Sequence, residues 1–186
     1  AQACGETGMG RMLEAHELAA SVRVFFGPRL LQGKRVLVTA GPTYEAIDAV
    51  RGITNLSSGK MGYAVARAAV EAGADVILVS GPVCLTPPPA LKLVSVTSAE
   101  EMLAAVKDQI SDVDIFVSVA AVADYRAKTT SGQKIKKTGN NITLELTPNP
   151  DILEYAASLP QPPFCIGFAA ETENLEKHWS SISIFL

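Results

Sequence analysis

The run Asn55-Leu56-Ser57-Ser58-Gly59-Lys60-Met61-Gly62 has the residue types of an anion-gripping loop. Glycines let a phosphate approach the backbone closely, and N–H groups at a helix N-terminus attract negative charge. The run departs from two standard patterns. A P-loop reads G-x-x-x-x-G-K-[ST]; here the gap from Gly52 to Gly59 is too long, and Met61 stands where the magnesium-holding hydroxyl belongs. As a dinucleotide finger it is S-x-G-x-x-G, with Ser57 replacing the first glycine. Alone, such a loop reads as a glycine-capped turn. Between a parallel strand and an alanine-rich helix it reads as a phosphate site, to which Lys60 either adds a charge or stays solvated.

Other chemistry-bearing residues lie outside this loop. Lys134-Ile135-Lys136-Lys137 would place two ammonium groups on one face if extended. They could clamp a triphosphate and stabilise charge building on phosphorus. They equally fit an exposed strand whose lysines discourage edge pairing. Asp124 follows an apolar strand directly, where a carboxylate can reach a ribose hydroxyl or a metal, or can close a turn. Arg51 and Asn55 suit a carboxylate or phosphate substrate, and also suit hydrogen bonding within a loop.

These residues need a scaffold, and the hydrophobic pattern supplies one. Arg-Val-Leu-Val-Thr-Ala at 35–40 reads as a buried parallel strand. A long loop (41–59) and a helix (61–73) follow, the helix with Val65, Ala68, Ala69 and Ala72 as its core face and Gly73 as its cap. Strands are expected at 75–80, 91–97, 113–121 and 164–169. Ser98 and Glu101 form a capping box for a helix to about 110, and Asp151 caps a short helix to 159. The alternation implies an α/β fold, a doubly wound, mostly parallel, Rossmann-like sheet with right-handed crossovers. Ligands then bind beyond the carboxyl ends of the strands. Residues 124–150 break the alternation and read as an inserted basic flap, two extended arms around a Gly-Asn turn. The first thirty residues do not fit this domain: a Gly-rich start, then an amphipathic helix over 13–26.

Composition narrows the classes. The chain has 186 residues, 48% of them hydrophobic, enough for one full domain and a fragment. Its net charge of −3 does not suit a nucleic-acid surface. No apolar run approaches the roughly 20 residues of a membrane span, and no secretion signal is evident. Cys4, Cys84 and Cys165 are odd in number and far apart, which suits a reducing cytoplasm. An NAD(P) oxidoreductase is the main rival. Val79-Ser80-Gly81-Pro82 ends the second strand without an acid for an adenosine ribose, and Tyr125 and Lys128 are one residue too close for a Tyr-x-x-x-Lys pair.

Six ordered segments together resemble one family. They are Val38-Thr39-Ala40-Gly41-Pro42-Thr43, the Asn55 to Gly62 run, Ala120-Ala121-Val122-Ala123-Asp124-Tyr125, the Lys134 to Lys137 run, Asn149-Pro150-Asp151-Ile152 and Gly167-Phe168-Ala169-Ala170-Glu171-Thr172. This order is similar to that of bacterial phosphopantothenate–cysteine ligase, the C-terminal half of a bifunctional coenzyme A biosynthesis protein. The resemblance covers residues 34–174. It implies ligation of 4′-phosphopantothenate to L-cysteine through an acyl-cytidylate, with CTP as co-substrate and Mg²⁺ on the triphosphate. It implies catalytic roles for Lys134 at the charged phosphoryl transition state and for Asn55 at the acyl-cytidylate. Nucleotide contacts are implied for Ser118, Val119, Ala120, Asp124, Lys134, Pro150, Asp151, Ile152, Leu153 and Phe168. Substrate contacts are implied for Arg51, Asn55, Ser58, Gly59 and Ala120, with no protein ligand named for the metal. A homodimer in the cytoplasm is expected by the same resemblance, with no nucleic-acid or membrane partner.

The start, Ala3-Cys4-Gly5 to Arg11-Met12, resembles the last motif of the flavoprotein phosphopantothenoylcysteine decarboxylase. Cys4 would be that domain's remnant, and FMN would belong to the absent remainder. Residues 1–33 are thus expected to be a decarboxylase tail and linker, and 34–177 an incomplete ligase domain. The run from His178 to Leu186 does not resemble the family's continuation, so a truncated or frame-shifted end is expected. A non-catalytic, nucleotide-binding remnant is the alternative reading.

Overall fold

The computed structural model describes residues 14–139, 141–168 and 183–184. Cys4 and the divergent run at 178–182 and 185–186 lie outside the described residues. Strands β1 (Arg35–Ala40), β4 (Asp75–Ser80), β5 (Lys92–Ser95), β6 (Ile115–Ser118), β9 (Phe164–Gly167) and β10 (Ser183–Ile184) form one sheet in the order β10-β9-β6-β1-β4-β5. Every neighbouring pair is parallel. The expected doubly wound α/β sheet is therefore present, with β1 central and the order reversing between β1 and β6.

The two faces of the sheet bury different side chains because a strand alternates its Cβ atoms. Val36, Val38, Ala40, Val76, Leu78 and Val117 face helix α2 (Lys60–Glu71). Leu37, Ile77, Val79 and Phe116 face helices α3 (Ala99–Gln109) and α4 (Ile152–Ala157). Those β1 and β4 residues are nearly all fully buried, which suits β-branched runs covered on both faces.

Helix α2 corrects the expected core face. Its buried residues are Gly62, Tyr63, Ala66, Ala69 and Val70, whereas Ala68 is exposed and Val65 only half-buried. Gly62 makes the close packing possible: a Cβ there would lie 2.5 Å from the Ala40 Cβ. Gly73, at φ +89°, follows the helix end as expected.

Two further corrections concern segments read as loops. The stretch after β1 is a hairpin, β2 (Tyr44–Ala46) pairing antiparallel with β3 (Gly52–Thr54). In the flap, the paired arms are the roots, β7 (Tyr125–Ala127) and β8 (Leu146–Pro148). The lysine run between them forms no strand. Helix α1 (Ala15–Phe26) matches the expected helix, and its Leu18, Val22, Phe25 and Phe26 are exposed. Among the described residues no helix is long and apolar enough to cross a membrane.

Candidate functional site

The carboxyl ends of β1 and β6 diverge at the reversal of strand order, and the segments that leave them are bonded together. The Ala121 N–H donates to the Gly41 carbonyl at 2.9 Å, and the Thr43 N–H donates to the Ala121 carbonyl at 3.3 Å. Two threonines, both essentially unexposed, reinforce this seam. Thr39 Oγ1 accepts from the Val119 and Ala120 amides at 3.3 and 3.4 Å. Thr43 Oγ1 accepts from the Ala123 amide at 3.0 Å. Ser118, Val119 and Ala120 are thereby fixed half-buried at the end of β6. Both threonines lie in the first ordered segment, but their bonding is not legible there, because their partners lie 80 residues away.

Asn55 joins the same seam from the other side. Its Nδ2 donates to the carbonyls of Ala121 and Val122 at 3.3 and 3.0 Å. Thr54 Oγ1, one residue earlier, donates to the Thr43 carbonyl at 2.7 Å. The carboxamide is itself exposed, so it meets solvent or a ligand while its amino group is anchored. A cavity of about 650 Å³ opens here, lined by Pro42, Tyr44, Asn55, Ser57, Ser58 and Pro82. Gly59 follows in the chain as the N-cap of α2 at φ +73°, and Ser57 Oγ accepts from its amide at 3.3 Å. Helix α2 thus points its N-terminal N–H groups toward this end of the sheet, an arrangement that favours an anion.

The flap is fastened to the β2–β3 hairpin. Asp48, at the hairpin tip, is buried. Its Oδ1 accepts from the Val50 and Arg51 amides, each at 2.9 Å. Its Oδ2 accepts from Arg51 Nε at 3.0 Å, from Arg51 Nη2, and from the Ile135 amide at 3.0 Å. Arg51 Nη2 also donates to the Ile135 carbonyl at 2.8 Å. The Arg51 guanidinium, and after it the Ile135 amide, hold the Asp48 carboxyl well below the usual carboxylate range. Arg51, expected as a substrate contact, is bonded to Asp48 and to the Ile135 carbonyl, and its side chain stays 48% exposed. Lys134, Lys136 and Lys137 are exposed beside Ile135.

The segment expected at the nucleotide base is bonded to the same seam through Asn149. Its N–H donates to the Asp124 carbonyl at 2.8 Å, and its Nδ2 donates to the Ala123 carbonyl at 2.7 Å. Arg126 Nη1 donates to Asn149 Oδ1 at 3.0 Å, and its Nη2 pairs with Glu100 at 2.7 Å. The Asp124 side chain is exposed beside this seam. Asp151 is engaged as the N-cap of α4, accepting from the Glu154 amide at 2.8 Å. Ile152 is buried in the core, and Leu153 packs partly against it. Pro150 and Leu153 are half-buried and Asp151 is exposed, whereas the Ile152 side chain is turned into the core. Phe168 donates its N–H to the Ser118 carbonyl at 3.0 Å and packs half-buried on the α2 side.

The structure therefore brings Asn55, Ala120 and Asp124 to one seam and ties Ile135, the neighbour of Lys134, to the hairpin beside it. Among the described residues there is no group of three His, Cys, Asp or Glu side chains able to hold a metal. At the end of β4, Ser80 is buried and accepts a hydrogen bond from the Tyr63 hydroxyl at 3.1 Å.

Comparison with known proteins agrees with this fold. Residues 31–182 match the family model described as the DNA/pantothenate metabolism flavoprotein C-terminal domain. The match runs past residue 174, where the recognised motifs stop. The chain is 53% identical over 180 residues to the coenzyme A biosynthesis bifunctional protein CoaBC of Vibrio cholerae, covering 95% of this chain and 45% of that protein. It is 47% identical over 182 residues to the Escherichia coli protein of the same name, with the same two coverages. The chain thus spans about half the length of these relatives. A crystal structure of the C-terminal domain of CoaBC superposes with a TM-score of 0.70 at 49% identity, covering 80% of this chain and 70% of that one. With a seam of Asn55 and the β6 loop at the reversal of a parallel sheet, and with this extent of match, the chain belongs to the DNA/pantothenate metabolism flavoprotein C-terminal domain family.

Proposed function

We propose that this chain carries a phosphopantothenate–cysteine ligase site of coenzyme A biosynthesis. The observation that carries the reading is the seam itself: Asn55 bonded to the Ala121 and Val122 carbonyls, opposite the α2 N-terminus. Similarity to proteins named for coenzyme A biosynthesis supports the same reading.

The reaction in this reading has two steps. A carboxylate oxygen of 4′-phosphopantothenate attacks the α-phosphorus of CTP. The bond to the bridging oxygen breaks, and pyrophosphate leaves with that electron pair. The amine of L-cysteine then attacks the acyl carbon of the acyl-cytidylate, CMP departs, and the amine's proton passes to solvent or to the leaving phosphate. Neither step needs a nucleophilic side chain, so the protein's task is positioning and charge stabilisation.

The chain's residues take these parts as follows. The N–H groups at the start of α2, with Ser58 and Gly59, hold phosphate oxygens. Lys134 supplies positive charge at the phosphoryl group during the first step. Asn55 orients the acyl-cytidylate while remaining anchored to the β6 loop. Asp124 and the backbone of Ser118, Val119 and Ala120 receive the nucleotide, and Pro150 flanks the base. Mg²⁺, when bound to the triphosphate, neutralises part of its charge. A homodimer is part of the proposal. Exposed apolar side chains at Ile142, Leu144 and Leu146 give the flap a face that a second copy would cover.

The test is pyrophosphate release from CTP by the chain, with and without 4′-phosphopantothenate. Release that requires the acid, followed by phosphopantothenoylcysteine on adding L-cysteine, is the expected result. Folded chain that binds CTP and releases nothing would establish a binding remnant instead.

A further inference from the structure

Asp48 sits outside every motif that marks the site, yet it accepts more hydrogen bonds than any other side chain in this region. An aspartate that only closes the hairpin tip needs its two bonds from the Val50 and Arg51 amides, an ordinary turn arrangement. The second carboxylate oxygen serves a different purpose. It takes the Ile135 amide, across a sequence separation of 87, and holds the Arg51 guanidinium that grips the Ile135 carbonyl. Both polar groups of one flap residue are thus held by a single ion pair. The Asp48 side chain in that pair is wholly unexposed, whereas that of Arg51 is 48% exposed. A second bond, from the Ser131 amide to the Ile47 carbonyl at 3.1 Å, fixes the preceding flap turn to the same tip.

A buried carboxylate is retained only where its bonds outweigh its desolvation. Here those bonds reach to the residue flanked by Lys134 and Lys136. We propose that Asp48 is a positioning residue for the phosphoryl-transfer step, fixing the Ile135 peptide through Arg51 so that Lys134 is set over the reacting phosphate. The proposal rests on the ligase reading above. It also explains why the arginine is at this position: its charge is matched by Asp48, leaving the field at the flap to the lysines.

Asp48→Asn is the informative variant. The remaining carbonyl oxygen still accepts from the hairpin amides, so the turn survives. The new amide NH₂ faces two donors, the Ile135 N–H and the guanidinium, so the latch is lost. In the full chain, hydrogen exchange at Ile135 is expected to quicken by at least about tenfold, with exchange in β1 and β4 unchanged. Single-turnover pyrophosphate release should slow by about 100-fold, the effect of displacing a catalytic group by about 1 Å, with CTP affinity changed less than about threefold. In a Lys134→Gln background the same substitution should slow the reaction no further. An unchanged exchange rate at Ile135 would overturn the latch. An equal slowing by Asp48→Asn in the Lys134→Gln background would show that Asp48 acts otherwise than through the lysine. A wild-type chain that releases no pyrophosphate overturns the ligase reading instead; the exchange measurement still decides the latch, so the two failures are distinguishable.

Discussion

Gly59 and Gly62 flank the first turn of α2 and answer different demands. Gly59 has φ +73°, and a Cβ there would meet Val83 Cγ1 at 2.8 Å and the Gly41 Cα at 3.2 Å. Gly62 has ordinary helical backbone, but its missing Cβ lets the helix lie on β1, since a Cβ there would come within 2.5 Å of the Ala40 Cβ. Gly62→Ala should gain about 1 kcal/mol of helix propensity. It should lose about 1–3 kcal/mol to overpacking against a backbone that cannot yield, so a net loss is expected. Urea denaturation measures the difference, and a variant more stable than wild type would refute the close packing. Two substitutions separate the chemical steps. Lys134→Gln should slow pyrophosphate release by about 100-fold or more. Asn55→Asp sets a carboxylate against the Ala121 and Val122 carbonyls, where an amino group donated before. It should permit pyrophosphate release but leave acyl-cytidylate that cysteine consumes slowly, as rapid-quench chromatography would show.

The elements differ in how far the sequence announces them. Strands β1, β4 and β6 are continuous apolar runs buried on both faces, and such runs are conspicuous. Helices α3 and α4 are legible from caps that act within one turn: Ser98 Oγ accepts from the Glu101 amide, and Asp151 accepts from the Glu154 amide. Glu101 reaches back to the Thr97 amide at 2.7 Å. Ser98→Ala should therefore cost about 1 kcal/mol, read as a lower melting temperature with the sheet intact. The β2–β3 hairpin was not legible, since three-residue strands carry too little alternation to register. Its buried carboxylates look like ordinary loop polarity: Glu45 bonds the Ala99 amide and Asp48 the Ile135 amide, both far along the chain. The face of α2 was misjudged because alanines at 66, 68, 69 and 72 fit more than one stripe, and the glycine and tyrosine that settle it are not usual core markers. Among the site residues, Asn55, Asp124 and Lys134 were singled out through motif order; Thr39 and Thr43 lie within the first ordered segment but were given no role, and Asp48 lies outside every motif. Acid gives a further check. The Lys34 ammonium, then the Arg35 amide, depress the Asp114 carboxyl, just as Arg51 depresses that of Asp48. Carboxylates held low in the fold stabilise it fully above the unfolded value near 4, and that stability is lost as pH falls through the folded values. The melting temperature should thus be insensitive to these groups from about pH 8 to 5 and should fall below about 4. Asp114→Asn should shallow the acid-side fall; an unaltered acid profile would remove Asp114 from this account.

Across the whole molecule, a sheet with a different core on each face holds one seam at its order reversal. The seam is built from residues near 40, 55, 120 and 150, so substrates would meet four separate chain segments that only the folded sheet brings together. The proposed homodimer is checked by sedimentation. Leu144→Asp places a charge on the exposed flap face and should shift a dimer toward monomer without unfolding the sheet. The ladder at the flap's root leads to a different kind of consequence. β7 and β8 pair from Tyr125 with Pro148 to Ala127 with Leu146, so the chain leaves and re-enters at adjacent points. Residues 128–145 can therefore be exchanged for a short turn with little change in loop-closure entropy, and the remaining scaffold should still fold. Such a chain would be a receptor without a trigger. It would keep the N-terminal end of α2 and the Asn55 seam, and so present a ready-made socket on which a different lid could be engineered.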